Sequence, residues 1–120
     1  MRRVVVTGMG IVSPIGNSTE DVTAALKAGT SGIEASPKMV EHGFRSQIAG
    51  TIDIDVAEHI DKRTLRFMGP GSAYAYIAMR QAILDAGLSP EDVSDPMIGV
   101  IAGSGGPSTS ALFAAHQTVL

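Results

Sequence analysis

Glycines after a run of valines form the first pattern in this chain that could bind a cofactor. Residues 4–17 read VVVTGMGIVSPIGN, and β-branched residues running into Gly8 and Gly10 are typical of a strand that opens a dinucleotide-binding unit. Ser13 replaces the third glycine of that pattern, and Pro14 disfavours the helix whose N–H groups would face a phosphate. The residues therefore favour a core strand and a loop, with a nucleotide-binding domain as the less favoured alternative.

A cluster of cations offers a different chemistry, the attraction of an anionic partner. Lys62, Arg63 and Arg66 are spaced so that a helix would place all of them on one edge. In an acidic protein such an edge steers negatively charged partners. The side chains expected to turn inward are Leu65, Phe67 and Met68. The alternative is a solvated face that is partly paired with the carboxylates of Glu58 and Asp61.

Nucleophiles and metal ligands are sparse in the sequence. The chain has no cysteine, which excludes disulfides, thiolate metal sites and a cysteine nucleophile within these residues. Ser104 lies in a glycine loop, Gly103 to Gly106, but outside the G-x-S-x-G frame of a nucleophile elbow, so we expect a close-packed loop there. The histidines lack metal-ligand spacing: His42, His59 and His116. We therefore predict no catalytic residue and no metal site.

Composition limits the classes of protein that the chain can belong to. The 120 residues suit one small domain or part of a larger one, with 44% hydrophobic and 18% charged residues. A net charge of −3 provides no general field for nucleic acid. No apolar run approaches the length of a membrane span, and a chain free of disulfides fits the cytoplasm. We expect a cytoplasmic protein that binds neither nucleic acid nor membrane.

The elements that must position these residues alternate between strand and helix. Buried strands are expected over residues 3–8 and from Met97 into the glycine loop. A helix capped by Asn17 or Ser18 should end at Gly29, followed by a loop over residues 30–44 and an extended stretch over 45–53. Short helical turns should then carry the cations. This order predicts an α/β fold.

A helix over residues 72–86 is the strongest prediction of a single element. Gly87 should end it in the left-handed conformation, and Ser89 with Pro90 should begin another short helix. The apolar face is expected to hold Tyr76, Met79, Ile83 and Ala86. The small side chains that should let a neighbour approach closely are Ala75, Ala78 and Ala82. A last helix begins near Ser108 without a stop signal by Leu120, so we expect the natural chain to continue.

Taken together, several segments resemble one family, the β-ketoacyl-[acyl-carrier-protein] synthases, and within it the type I enzyme of bacterial fatty acid synthesis. The segments that carry the resemblance recur in the family's order: RRVVVTGMGIVSPIGN, LKAGTSGI, GFRSQIAG, HIDKRTLRFM, AYIAMRQAILDAGLSP and GVIAGSGGPS. The resemblance implies a thiolase-like layered αβαβα fold, of which residues 1–120 are the first part. It also implies that VTGMGIVSPIGN is a core strand and turn that binds no nucleotide.

The activity that the resemblance implies is acyl transfer followed by decarboxylative condensation with malonyl carrier protein. Its cysteine nucleophile and two histidines would lie beyond this chain, which alone would be inactive, and no cofactor is expected. Lys62, Arg63 and Arg66 match the family's docking patch for acyl carrier protein, and Gly105 and Gly106 match the lining of its acyl pocket near the dimer interface. A homodimer is expected. The alternative to an enzyme is a protein of another functional class, a non-catalytic ketosynthase-like partner or dimerisation module.

Overall fold

Helices dominate the computed structural model, which describes residues 2–106 and 108–119. The helices are α1 (Thr19–Ala28), α2 (Pro37–Glu41), α3 (Val56–His59), α4 (Lys62–Leu65), α5 (Pro70–Asp85), α6 (Pro90–Val93) and α7 (Thr109–Val119). The strands β1 (Ile33–Ala35) and β2 (Ile48–Gly50) form an antiparallel pair in which Glu34 faces Ala49. The helix α7 covers the predicted last helix, and Leu120 lies outside the described residues.

Local capping chemistry sets the ends of α1. Ser18 is the N-cap, and its hydroxyl accepts a hydrogen bond from the backbone N–H of Asp21. Gly29 closes the helix with a φ of 66°, the left-handed conformation in which glycine carries no steric cost. Of the two predicted caps, Ser18 is therefore correct. The amide of Asn17 instead donates to the carbonyl oxygen of Asp53, at 2.6 Å.

The hairpin of β1 and β2 corrects the prediction of a loop over residues 30–44. That stretch contains β1 and the short helix α2, while the predicted extended stretch contains β2. A Cβ atom at Gly32 would lie 2.7 Å from the carbonyl oxygen of Pro14, and one at Gly50 would lie 2.8 Å from the Pro14 ring. The hairpin thus packs directly on the turn that follows residues 4–12, a contact between segments that local propensity does not reveal.

The core lies along α5, on a face different from the predicted one. Ala73 and Ile77 are buried, together with Ile60 from the connection between α3 and α4. The half-buried side chains packed against them are Val12, Ile54, Val56, Leu65 and Met68. Tyr76 and Met79, which were expected on the apolar face, are 40% and 46% exposed. The alanine-rich composition of α5 makes its apolar face hard to identify from periodicity alone.

The small residues of α5 allow another segment to approach the helix closely, as their size predicts. Gly8 and Gly10 lie against the helix backbone: a Cβ at Gly10 would overlap the carbonyl oxygen of Ala78 and approach the nitrogen of Ala82 to 2.8 Å. A Cβ at Gly8 would lie 2.5 Å from the nitrogen of Ala86. The glycines of the opening segment therefore allow two backbones to touch. They face a helix and not an open phosphate cradle, which removes the basis of the nucleotide alternative.

Two polar side chains of α5 hold the same segment by hydrogen bonds. Gln81 Oε1 accepts from the N–H of Ile11 at 2.8 Å, and Gln81 Nε2 donates to the carbonyl oxygen of Asn17 at 2.7 Å. Asp85 Oδ2 accepts from the N–H of Met9 at 2.9 Å. Because Gln81 and Asp85 are four residues apart, they lie on one face of the helix. We call this pair the polar clamp.

The two predicted buried strands do not form among the residues that the structure describes. Residues 3–8 and 97–102 are outside helices and ladders, and in the ranges 2–106 and 108–119 neither pairs with another strand. Val4, Val6 and Ile101 are 93%, 82% and 99% exposed. A valine-rich segment becomes a strand only when a neighbour accepts its backbone hydrogen bonds. The radius of gyration, 17.6 Å, also exceeds the roughly 14 Å expected of a closed domain of this length.

The end of α5 follows the predicted pattern closely. The helix runs over Pro70–Asp85 instead of 72–86, and Gly87 adopts a φ of 66°. The N–H of Leu88 then bonds to the carbonyl oxygen of Ile83, at 3.1 Å. Ser89 and Asp92 form a reciprocal capping box that begins α6, and this hydrogen bonding lowers the pKa of Asp92. Caps of this kind are local, so sequence alone identifies them.

Candidate functional site

The helix α4 displays the cations on a single capped turn. Asp61 is its N-cap: Oδ1 accepts from the N–H of Thr64 at 3.0 Å, and Oδ2 accepts from the Thr64 hydroxyl at 2.6 Å. These hydrogen bonds, the one from the hydroxyl foremost, lower the pKa of Asp61. Asp61, one of the two carboxylates that could have paired with the cations, is therefore engaged in holding the helical turn.

Lys62, Arg63 and Arg66 are all exposed and share one helical turn, as predicted. The N–H of Arg66 bonds to the carbonyl oxygen of Lys62 at 3.3 Å, which places these side chains four residues apart on the same edge. We call these three residues the basic edge. Their arrangement supplies positive charge at the surface of an acidic chain, whose net charge is −3.

Phe67 does not turn inward as the sequence predicts. Its side chain is 77% exposed, and the Arg66 guanidinium carbon lies 4.6 Å from the centre of its ring. The inward positions are held by Leu65 and Met68, which are half-buried against the core of α5. The difference arises because residues 65 and 68, three apart, share one face of a helical turn, whereas residue 67 falls on the opposite side.

The connection before α4 ties the basic edge to α5. Ile60 is buried, with 4% exposure, against Ala73 and Ile77. Arg80 Nη1 donates to the carbonyl oxygen of His59 at 2.9 Å. The sequence analysis did not single out Arg80, although a cation on a helix rich in alanine is a signal that could have drawn attention to it.

A cleft of about 720 Å³ lies between the start of α5 and the glycine loop. Its walls come from residues 69–72 and 75 on one side and from residues 102–104, 106 and 108–110 on the other. Gly69 and Ser108 bring the two sides together, since a Cβ at Gly69 would lie 3.2 Å from the Ser108 Cβ. Gly106 lines the cleft, and Gly105 is its neighbour in the loop without being a lining residue.

The glycine loop is open rather than close-packed, contrary to the prediction. A Cβ at Gly103, Gly105 or Gly106 would meet no atom within 4 Å. The positive φ values in the described chain belong to other glycines: Gly16, Gly29, Gly43 and Gly87. The loop therefore has room for side chains, and its glycines leave space beside the cleft.

The histidines take part in separate local contacts. His42 meets Phe44 edge to face, with ring centres 6.5 Å apart, and His59 contributes its backbone carbonyl to Arg80. Within residues 2–106 and 108–119, no group of three or more histidine, aspartate or glutamate side chains is arranged to hold a metal ion. In the same ranges, no helix has the length and apolar character needed to cross a membrane.

The family to which the chain belongs is shown by comparison with known proteins. A sequence model described as "Beta-ketoacyl synthase, N-terminal domain" matches residues 1–119. The chain therefore belongs to the β-ketoacyl synthase family, as the resemblance of its segments implies.

Curated relatives place the chain near particular members of that family. It is 54% identical to 3-oxoacyl-[acyl-carrier-protein] synthase 1 of Haemophilus influenzae over 105 residues, which cover 88% of this chain and 26% of the relative. Identity to the synthase 1 of Escherichia coli is 49% over 109 residues, covering 90% of this chain and 27% of the relative. The chain thus spans about a quarter of the length of the curated relatives that it matches.

A solved structure confirms the fold class. The crystal structure of a beta-ketoacyl synthase from Burkholderia phymatum matches 99% of this chain with a TM-score of 0.80 and 32% identity. The match covers 30% of that chain. The predicted thiolase-like α/β fold is therefore correct at the level of chain path, even though residues 3–8 and 97–102 lack strand partners among the described residues.

Proposed function

We propose that the protein carrying this chain is a β-ketoacyl-[acyl-carrier-protein] synthase of fatty acid synthesis. The observation that carries the proposal is the identity of 49–54% to two relatives named 3-oxoacyl-[acyl-carrier-protein] synthase 1, spread over nearly the whole chain. The test is an assay of the full-length protein with acyl and malonyl carrier protein. Release of carbon dioxide with formation of a 3-oxoacyl product is expected, and its absence would favour the non-catalytic partner.

The proposed reaction transfers the acyl group from the thioester of its carrier protein to a cysteine thiolate. A new thioester forms on the cysteine, and the carrier thiol leaves. Loss of carbon dioxide from the malonyl group then leaves an enolate, whose carbon attacks the acyl carbonyl and expels the thiolate. This chain contains no cysteine, so the nucleophile and the histidines that stabilise the enolate would come from residues outside 1–120. No catalytic residue and no cofactor is assigned to the chain. Its proposed roles are scaffold, docking surface and pocket wall.

Residues 1–120 are proposed to be the N-terminal part of a ketosynthase domain. Support comes from the exposed, unpaired segments 3–8 and 97–102, whose apolar side chains and backbone groups would be covered by further strands of the domain. The homodimer and the cytoplasmic location implied by the resemblance belong to the same proposal. Gel filtration of the full-length protein with light scattering tests the dimer.

The basic edge is proposed to dock acyl carrier protein. Lys62, Arg63 and Arg66 are exposed on one turn that is held by a capping carboxylate, so their charges remain available to an acidic helix of a partner. Arg66 and Phe67 also stack at the same surface. Charge of this kind acts chiefly by steering and orienting the partner.

Reversing the charge of the basic edge should weaken carrier binding strongly. For the full-length variant Lys62→Glu, Arg63→Glu, Arg66→Glu we expect KM for the acyl carrier protein to rise at least about a hundredfold, because like charges would then face each other. The effect should shrink as ionic strength increases. Steady-state kinetics at two salt concentrations measure both.

A matched control separates this effect from a change in net charge. The variant Lys27→Glu, Lys38→Glu, Arg45→Glu makes the same change in charge at exposed positions outside α4. We expect its KM for the carrier to stay within about threefold of the native value, since exposed charges that do not contact the partner are screened. Equal losses in both triple variants would show that the basic edge is not the docking surface.

Gly105 and Gly106 are proposed to belong to the wall of the acyl pocket, with Gly106 as the residue that borders the cleft. Gly106 borders the cleft of about 720 Å³, and neither glycine would bring a Cβ into contact with other atoms. A side chain at Gly106 would therefore be tolerated and would occupy space beside the cleft. This room is what an acyl chain would fill.

Filling the space at Gly106 should shorten the acyl chain that is accepted. For Gly106→Leu we expect kcat/KM to fall at least about tenfold for the longest native substrate and to change little for short ones, because each methylene that no longer fits costs binding energy. The matched variant Gly105→Leu should have a smaller effect. Profiles against acyl-chain length for both variants provide the measurement. An unchanged profile in Gly106→Leu would contradict the assignment.

A further inference from the structure

The orientation of the basic edge depends on what precedes it. The helix α4 has a single turn, Lys62–Leu65, and the side chain of its N-cap Asp61 bonds within that turn, to Thr64. These hydrogen bonds keep the shape of such a short turn, but they do not fix its orientation relative to the rest of the protein. Its direction must therefore come from contacts with the long helix α5.

Two consecutive residues shortly before α4 contact α5. Ile60 packs into the core against Ala73 and Ile77. Arg80 Nη1 donates to the carbonyl oxygen of the preceding residue, His59, at 2.9 Å. Because Ile77 and Arg80 are three residues apart on α5, they lie on the same face of that helix and receive the connection side by side.

The carbonyl oxygen that accepts the hydrogen bond from Arg80 lacks a partner within its own helix. His59 is the last residue of α3, and the final carbonyl groups of a helix have no partner within the helix. A guanidinium there forms a charge-assisted hydrogen bond and complements the negative end of the helix dipole. The guanidinium carbon also lies 6.0 Å from the centre of the Tyr76 ring, one turn earlier on α5. The Arg80 side chain is thus held by the carbonyl group of His59 and by the Tyr76 ring.

We propose that Arg80 is a positioning residue for docking, which fixes the direction of the basic edge by anchoring the end of α3 to α5. The inference rests on the proposed function of Lys62, Arg63 and Arg66. Ile60, Leu65 and Met68 pack this part of the chain against α5. The hydrogen bond from Arg80 to His59 adds a directional constraint that apolar packing lacks. Arg80 acts through α4 and does not itself contact the carrier protein.

The experiment measures KM and kcat for acyl carrier protein with full-length Arg80→Gln. We expect KM to rise about threefold to tenfold, with kcat changed less than about twofold, because binding geometry is altered and the chemistry is not. Arg80→Lys, which keeps a charged donor, should restore most of the affinity. Arg80→Met keeps the aliphatic stem and provides a second truncation if the glutamine variant does not fold.

A cycle with the basic edge separates positioning from direct contact. In a background of Lys62→Ala, Arg63→Ala, Arg66→Ala, the change at Arg80 should no longer raise KM, since no cations are left to orient. An equal rise in both backgrounds would show that Arg80 touches the carrier directly and would overturn the inference. Native KM in Arg80→Gln together with a raised KM in the alanine background would also overturn it while the docking proposal stands. If the variant Lys62→Ala, Arg63→Ala, Arg66→Ala binds the carrier normally, the docking proposal and the inference about Arg80 both fail.

Discussion

Gly10→Ala is expected to destabilise the full-length protein by about 3 kcal/mol or more, because the added methyl group meets backbone that cannot move aside. A Cβ at residue 10 would overlap the carbonyl oxygen of Ala78 and lie 2.8 Å from the nitrogen of Ala82. Both atoms belong to the hydrogen-bonded interior of α5. Relief would require separating the opening segment from the helix. Urea unfolding followed by circular dichroism measures the loss.

Gly71→Ala is the matched control for that substitution. Residue 71 lies in the first turn of α5, and a Cβ there would meet no atom within 4 Å. We expect a change within about 0.5 kcal/mol of zero, or a slight gain from the better helix propensity of alanine. If Gly10→Ala were as stable as Gly71→Ala, the backbone contact between the opening segment and α5 would be wrong.

Gln81→Leu should cost about 3 kcal/mol by disabling the main part of the polar clamp. The leucine would leave the N–H of Ile11 and the carbonyl oxygen of Asn17 without the partners that they have at 2.8 and 2.7 Å. All three residues are only partly exposed, so water replaces these hydrogen bonds poorly. The midpoint of urea unfolding of the full-length protein measures the effect.

Two further variants test the origin of this loss. Gln81→Glu keeps an acceptor for Ile11 but no donor for Asn17, so its stability should lie between those of the native protein and the leucine variant. Gln117→Leu makes the same replacement at an exposed position of α7 and should change stability by less than about 0.5 kcal/mol. Similar losses in Gln81→Leu and Gln117→Leu would argue against the clamp.

The helix α5 connects the proposed functional surfaces. Its first turns form one wall of the cleft, its middle buries Ile60 before the basic edge, and its last turns hold the opening segment through Gln81 and Asp85. A single helix therefore links the proposed docking surface to the proposed pocket wall. In the proposed reaction, a substrate on the docked carrier would cover the distance between them, so α5 bears directly on the proposed function.

Features that depend on neighbouring residues in the chain were determined by the sequence alone. The stops at Gly29 and Gly87, the cap at Ser89 and the spacing of the basic edge all follow from hydrogen bonds and helical geometry within a few residues. For α1 the sequence limited the cap to Asn17 or Ser18. The family resemblance is also contained in the order of the segments. Local interactions need no knowledge of what packs against them.

Tertiary structure decided which groups meet across the chain. It identified Gly8 and Gly10 as the neighbours that the small residues of α5 accommodate and turned Phe67 outward. It also paired β1, which lies inside a predicted loop, with β2. It also left residues 3–8 without a ladder partner among the described residues, although their valines favour a strand. The physical reason is that burial and strand pairing depend on two segments that contact each other. The pattern of one segment alone indicates only that it can be buried or paired.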